Sequence, residues 1–411
     1  MIELAKAARA AARILATTSA ATKNTALQAM AAAIRQTADT ILQANQQDIL
    51  AAKNQSKVFL DRLLLTPERL AAMANTLEII AAQSDPVGQT LATIHRPNGL
   101  AITRVSVPIG VIAVIYESRP NVTADAAGLC LKAGNAVILR SGSHSFHSAT
   151  AIMKALQTGL AAANLPTAAI QHLPTADRAD LQAMLKLEQY IDVIIPRGGK
   201  ELIKFVTNNS RIPMFKHAAG LCHTYIHAGA DLLMAKNIVI NAKMRRPGIC
   251  GATEVLLIDR GIARHALPII LEALTALGCE VRGDAEVKAI YPATHLASDQ
   301  DYDTEFLAAI IGVKVVDNID AAMMHITQHG TQHTDAIITD DNTAAEKFLR
   351  ELDSAILVHN ASTQFADGGE FGMGAEIGIA TGKLHARGPI GAEQLTTFKY
   401  CVRGNGQVRG G

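Results

Sequence analysis

The chain has 411 residues, enough for two or three domains with cores of their own. Its 38 basic and 37 acidic side chains nearly cancel, which argues against a general nucleic-acid or membrane-surface role. Hydrophobic residues make up 49%, Trp is absent and Ala is abundant, and no run of about 18 uncharged apolar residues occurs. A soluble, helix-rich globular protein is therefore expected. Five cysteines, Cys130, Cys222, Cys250, Cys279 and Cys401, are an odd number with no CxxC spacing. Free thiols in a reducing compartment are the simplest reading. The N-terminal "MIELAKAARAAARILATTSAATKN" is basic and Ala-rich, but Glu3, Lys6, Arg9 and Arg13 interrupt any signal-peptide core, so it reads as a surface helix.

In chain order, residues 1–82 read as helix, with Pro67 well placed to start a new one. Asp85-Pro86-Val87-Gly88 breaks this pattern. "GLAITRVSVP" (99–108) alternates like a strand, and "GVIAVIYE" (110–117) is a continuous apolar run, as in a strand buried on both faces. A helix over 121–132, a strand over 135–140, a helix over 144–163 and a short strand "AIQHL" follow. Next come a helix over 175–186, a strand over 190–196 and a helix opened by "GGKELIKFVTNN". Such alternation implies a parallel, doubly wound sheet. The pattern resumes past Asp231 with a helix, a cysteine turn, a strand over 253–259 and a helix over 262–277. Further strands near 313–317, 335–339 and 355–359 make a second α/β domain. The glycine-rich stretch from Ala361 to Gly391 reads as a loop over a site, and "LTTFKYCVRGNGQVRG" as a strand that frays.

The stretch "NAKMRRPGICGATEVLLID" (241–259) carries the clearest chemistry. Cys250 sits on a turn flanked by Gly248 and Gly251, where backbone can approach a ligand closely. Lys243, Arg245 and Arg246 precede it and would favour its thiolate. The commoner fate of cysteine is a buried inert thiol, and that reading is kept for the other four. "PRGGKEL" (196–202), between a strand and a helix, could hold an anion on its amides, although a plain glycine turn is equally consistent. Neither GxGxxG joining a strand to a helix nor a Walker loop is present. His325, His329 and His333 fall four apart, but Gly330 interrupts them. They read as ordinary surface or loop histidines, and no metal site is expected.

"RVSVPIGVIAVIYESRPNVTADAAGLCLKAGNAVILRSG", "NAKMRRPGIC" and "EFGMGAEIGIATGKLHARGPIGAEQLTTFKY" closely resemble the gamma-glutamyl phosphate reductases, or glutamate-5-semialdehyde dehydrogenases. This family lies within the aldehyde dehydrogenase superfamily, and the resemblance covers about residues 1–405. It implies an α/β, aldehyde dehydrogenase-like fold: two doubly wound α/β domains plus a small oligomerisation β-flap. The nucleotide-binding domain would span 1–226, rejoined by 360–394, the catalytic domain 227–359, and the flap 95–108 and 395–411. The implied activity is NADPH-dependent reduction of L-glutamyl 5-phosphate to glutamate 5-semialdehyde and phosphate, the second step of proline biosynthesis.

The resemblance also assigns roles. Cys250 matches the nucleophile, whose thioester with the substrate is then reduced. Its own N–H and the Asn121 amide in "SRPNV" match the oxyanion donors. A helix N-cap is the structural alternative for Asn121. Arg140-Ser141-Gly142-Ser143 matches the position that holds the adenosine ribose, where an arginine suits a 2′-phosphate. A solvated strand-end cation is the alternative for Arg140. Arg197, Gly198 and Gly199 are the cofactor-phosphate candidates, and Glu305 matches the glutamate of the nicotinamide ribose. Lys243, Arg245 and Arg246, with Arg119 and Arg387, are expected to attract the substrate's carboxylate and phosphate. His217 or a neighbour stands where oxidising relatives carry the glutamate that activates water. Its absence suits an enzyme that must not hydrolyse its thioester. Pro247 departs from the threonine expected there. A cytoplasmic homo-oligomer, dimer or tetramer, is implied, with functional coupling to glutamate 5-kinase. The competing readings are an ordinary aldehyde dehydrogenase, which would not depend on phosphate, and a non-catalytic scaffold, whose Cys250 would not be singled out by alkylation.

Overall fold

A computed structural model describes residues 1–215 and 219–409 of the chain and divides it into two compact units. The first comprises Met1–Lys216, Gly372–Gly378 and Ile390–Gly411, and the second His217–Phe371 and Ile379–Pro389. Among the described residues no helix is long and apolar enough to cross a membrane.

The first unit opens with five helices, Ile2–Leu15, Ala20–Gln36, Ala38–Ala51, Lys57–Leu63 and Pro67–Ala82. Side-chain caps explain where three of them start. Ser19, Ser56 and Thr66 each accept from the amide three residues on, and Pro67 fills the first helical position. The break at Asp85 is anchored: the buried Lys23 ammonium donates to the Asp85 carboxylate at 2.8 Å and to the Lys132 carbonyl at 3.0 Å. A four-stranded parallel sheet follows, in the order Ile170–His172, Ala136–Arg140, Val111–Tyr116, Val193–Arg197. Every residue of Val111–Tyr116 is buried, as the unbroken apolar run requires of a strand covered on both faces.

A separate antiparallel sheet joins Thr90–His95, Ala101–Pro108 and Thr396–Arg403. The last two pair over their full length, from Thr396 opposite Pro108 to Arg403 opposite Ala101. The first strand lies ahead of the expected flap. It is made by a hairpin at "RPNGL", where Gly99 adopts φ +87 and its amide donates to the Arg96 carbonyl at 2.9 Å. Asn98-Gly99 is the turn signal that should have revealed it.

The second unit is built on seven parallel strands, ordered His295–Leu296, Glu280–Gly283, Ile310–Val316, Thr253–Asp259, Cys222–Ile226, Thr334–Ile338, Ile356–His359. Alternation along Thr253–Asp259 feeds two cores. Leu256 and Ile258 pack with the helices Leu232–Met244 and Arg260–Ala276. Val255 and Leu257 pack with residues of Ile319–His329 and Asn342–Glu351. Helices on both faces are what doubly wound means here.

Cys222–Ile226 was not expected as a strand, because "CHTYI" is largely polar. It is nonetheless central and wholly buried. Its polar groups are satisfied by neighbours: the His223 amide donates to Asp335 at 2.9 Å, and the Thr224 and Thr253 hydroxyls meet at 2.7 Å. Because this strand pairs with Thr253–Asp259 and Thr334–Ile338, the unit boundary falls ahead of it rather than after residue 226. The histidine stripe also differs from expectation. His325 and His333 are buried, His325 edge-on to the rings of His223 and Tyr302. Burial and the neighbouring His223 push the His325 imidazole down to about 2, so it stays neutral. Among the described residues no group of three or more His, Cys, Asp or Glu could hold a metal ion.

Candidate active site

In the second unit, Asp231 caps the helix Leu232–Met244, accepting from the Met234 amide at 2.7 Å. The chain then turns through residues 245–252 into the strand Thr253–Asp259, and Cys250 sits on that turn, half-buried. Its side chain packs beside Ile356, Ala366 and Ile379. Gly220 explains how tightly the turn is held. A Cβ there would lie 2.0 Å from the Cys250 carbonyl oxygen and 2.7 Å from its Cα, so only glycine allows this approach. The Gly220 amide donates to Glu305 Oε1 at 2.8 Å, and the Cys222 thiol donates to the Cys250 carbonyl at 3.1 Å. Cys250 and Glu305 are thus brought together through Gly220.

The cations divide. Lys243, expected among the substrate-binding cations, is fully buried, with its ammonium 2.5 Å from Glu254 Oε2. The other Glu254 oxygen accepts from the Leu307 amide at 3.1 Å. Burial pushes the Glu254 carboxyl up to about 7, against the pull of Lys243. Lys243 is therefore spoken for and does not reach toward substrate. Arg387 is similarly tied: its Nη1 donates to Asp353 Oδ1 at 2.6 Å, and Lys383 shares that carboxylate. Arg245 donates to Gln364 Oε1 at 3.2 Å and borders a groove of about 450 Å3 with Asn237, Asn241 and Met244. Arg246 is exposed, and Pro247 is half-buried in the turn beside it. His217, the expected substitute for the hydrolytic glutamate, lies outside the described residues.

In the first unit, Arg140 ends the strand Ala136–Arg140 and is only 7% exposed, so it is no solvated strand-end cation. Its Nη2 donates to the Ala176 carbonyl at 2.7 Å, while its buried Nε has no hydrogen-bond partner. Burial lowers the Arg140 guanidinium and Glu117 opposes the shift. The next residue, Ser141, meets His172 Nε2 at 2.9 Å. Burial, then Arg140, pushes that imidazole down to about 4. Gly142 lies against the Glu117 backbone, where a Cβ would be 3.1 Å from its carbonyl oxygen, and Ser143 starts a short 3-10 turn.

Arg197 ends the strand Val193–Arg197, and its side chain lies against Gly378. Gly198 and Gly199 were expected at a cofactor phosphate, and the Gly199 amide instead donates to Glu117 Oε2 at 2.8 Å. Asn121 does not cap its helix by side chain. Its amide instead donates to Asp125 Oδ2 at 2.8 Å. Burial pushes the Asp125 carboxyl up to about 6, held back by Asn121 and Arg197. Arg119 is half-buried on the segment after Val111–Tyr116.

Sequence reasoning missed Gly220, Cys222 and Glu254. The available signal was a glycine two residues before a cysteine at the head of a polar strand, and a lone glutamate in the apolar run after the Cys250 turn.

A family model described as the aldehyde dehydrogenase family matches residues 1–303. The gamma-glutamyl phosphate reductase of Paramagnetospirillum magneticum is 59% identical, over all of this chain and 98% of its own. That of Rhodospirillum rubrum is also 59% identical, over all of this chain and 96% of its own. Among solved structures, the gamma-glutamyl phosphate reductase of Thermotoga maritima superposes with a TM-score of 0.96 at 41% identity, covering all of this chain and 99% of that one.

The buried pair generates a stability prediction. Lys243→Met strands an uncompensated carboxylate and should cost about 3–5 kcal/mol, while the Lys243→Met/Glu254→Gln double variant should recover most of it. Glu254 has a folded value raised above its unfolded one, so ionising it opposes folding. The single variant's deficit should therefore grow as pH rises toward and past 7. Thermal melts of the three proteins at pH 6 and 8 check this, and a double variant no better than the single would refute it.

Proposed function

The chain belongs to the gamma-glutamyl phosphate reductases of the aldehyde dehydrogenase family, and from that membership we propose that it reduces L-glutamyl 5-phosphate to L-glutamate 5-semialdehyde with NADPH, through a thioester on Cys250. The observation that carries this is the held position of Cys250: one thiol on a glycine-built turn, its carbonyl fixed from two sides. Three of the other four cysteines are buried and compare poorly as nucleophiles. Burial pushes the Cys130, Cys222 and Cys279 thiols up, Cys279 to about 11.

The Cys250 thiolate attacks the acyl-phosphate carbonyl, the C–O bond to phosphate breaks, and phosphate leaves with the bonding electrons. The Cys250 N–H and the Asn121 amide are the proposed donors to the oxyanion of that step. A nicotinamide cofactor, when bound, would supply a hydride to the thioester carbon. The resulting thiohemiacetal on Cys250 collapses, returning the thiolate and releasing the aldehyde. Arg245 and Arg246 are proposed to draw in the doubly anionic substrate, since Lys243 is consumed by Glu254. Glu305 keeps the proposed role toward the nicotinamide ribose. Five free cysteines fit work in a reducing compartment such as the cytoplasm.

The preference for NADPH over NADH rests on Arg140. A buried guanidinium with an orphaned Nε and only a backbone carbonyl as partner suits an added 2′-phosphate. Self-association is proposed through the three-stranded sheet, whose outer strands expose Leu91, Ile94, Phe398, Tyr400 and Val402.

Four outcomes follow from this reading. Cys250→Ala should melt like the parent yet lose roughly 10³-fold or more in turnover. With glutamate semialdehyde and NADP⁺, the parent's steady turnover should require phosphate or arsenate, and steady phosphate-independent formation of glutamate would point to an ordinary aldehyde dehydrogenase instead. Arg140→Ala should raise the KM for NADPH about 10–100-fold, the loss of one charge-assisted contact, and leave NADH nearly unchanged. Equal damage with both cofactors would make Arg140 purely structural. Truncation after Gln394 removes the strand Thr396–Arg403 and should yield smaller species or aggregate by light scattering. An unchanged mass with full activity would exclude this sheet as the interface.

A further inference from the structure

The strand Cys222–Ile226 brings a second cysteine to the nucleophile turn, and the reaction just described leaves it without a role. Cys222 is fully buried, and its Sγ lies 3.1 Å from the Cys250 carbonyl oxygen and 3.5 Å from His333 Nδ1. His333 is itself fully buried and also meets the Thr334 hydroxyl at 2.9 Å. The pairing is irregular at this point: Cys222 lies opposite Thr253 but His223 opposite Val255, so Glu254 of the neighbouring strand is the extra residue, directly after the turn that bears Cys250. The Cys250 carbonyl is also hemmed in by Gly220, whose amide is in turn held by Glu305.

We propose that Cys222 is a positioning residue for the reaction: its thiol, with the Gly220 backbone, clamps the Cys250 carbonyl and so sets the direction in which the nucleophilic sulfur points. The proposal rests on the reading of Cys250 as the nucleophile. Fixing that carbonyl fixes ψ of Cys250, and with it the path of the turn on which the reactive side chain stands. An S–H is required, since the carbonyl can only accept. Burial keeps Cys222 in that form, pushing its thiol well above the ordinary cysteine value. The same burial removes it as a rival nucleophile. His333 Nδ1 also lies within reach of the sulfur, and in the tautomer that carries its proton on Nδ1 it cannot accept from the thiol, which leaves the S–H for the carbonyl. A misplacement of about 1 Å at a reacting atom can cost about 100-fold in rate. A single weak donor can therefore matter to turnover out of proportion to its strength.

The test compares full-length Cys222→Ala and Cys222→Ser with the parent and with Cys250→Ala. Active sites are counted by stoichiometric iodoacetamide labelling of Cys250, read by peptide mass spectrometry, so that turnover is expressed per reactive Cys250 and misfolded protein drops out. Cys222→Ala should lower kcat per labelled site about 10–100-fold. KM for the acyl phosphate should stay within about threefold, since Cys222 touches no substrate. Cys222→Ser keeps a donor and should return most of kcat. If the alanine variant does not fold, Cys222→Val, which fills the space without a donor, takes its place. Unchanged kcat per labelled site in the donorless variant, or a serine variant no better than it, overturns the clamp. An active Cys250→Ala protein overturns the nucleophile assignment itself, a separate and distinguishable failure.

Discussion

Lys243 and Glu254 form an ion pair with no exposure to water, and three segments of the candidate site depend on it. Lys243 belongs to the last turn of the helix that leads into the Cys250 turn, and Glu254 to the strand that leads out of it. The second Glu254 oxygen holds the Leu307 amide, two residues past Glu305. Leu307 has φ +53, a left-handed conformation that costs a non-glycine residue about 1–2 kcal/mol and needs such a restraint. Helix end, strand start and the Glu305 loop are thereby fixed to one charge pair. Removing two charges from water is expensive, and what such a pair provides is geometry more than net stability.

The Cys250 turn is fixed by contact of a different kind. Gly220 reaches it only because it lacks a side chain, and the Cys222 thiol reaches it from the head of the neighbouring strand. Neither contact is charged, so neither competes with a negatively charged substrate. The cation cluster before Cys250 thus serves two purposes. Lys243 builds the site from inside, while Arg246 stays exposed and Arg245, bonded to Gln364, borders a groove.

In the first unit, carboxylates fill places that an anion would otherwise take. Glu117 accepts from the Gly199 amide just before the helix Lys200–Asn209, where the helix dipole favours negative charge. Asp125 takes one of the two hydrogens of the Asn121 amide nitrogen, leaving the other available in a defined direction. Among the described residues Arg140 has no such carboxylate within bonding distance, which sets it apart from the ion-paired cations elsewhere.

Much of the fold was legible in the sequence because burial on both faces leaves unbroken apolar runs. The strands Val111–Tyr116 and Thr253–Asp259 were visible for that reason, and the turn bearing Cys250 was marked by its glycines and cations. The strand Cys222–Ile226 was hidden, because its polar side chains find buried partners more than 25 residues away in the chain, which periodicity cannot register. The same physics decided the cations. Sequence alone determined that Lys243, Arg245 and Arg246 precede Cys250, and their spacing gave all three the same expected role toward its thiolate and the substrate's anions. Only the tertiary structure placed Glu254 against Lys243, because a strand residue facing back onto the preceding helix is a matter of packing and not of spacing.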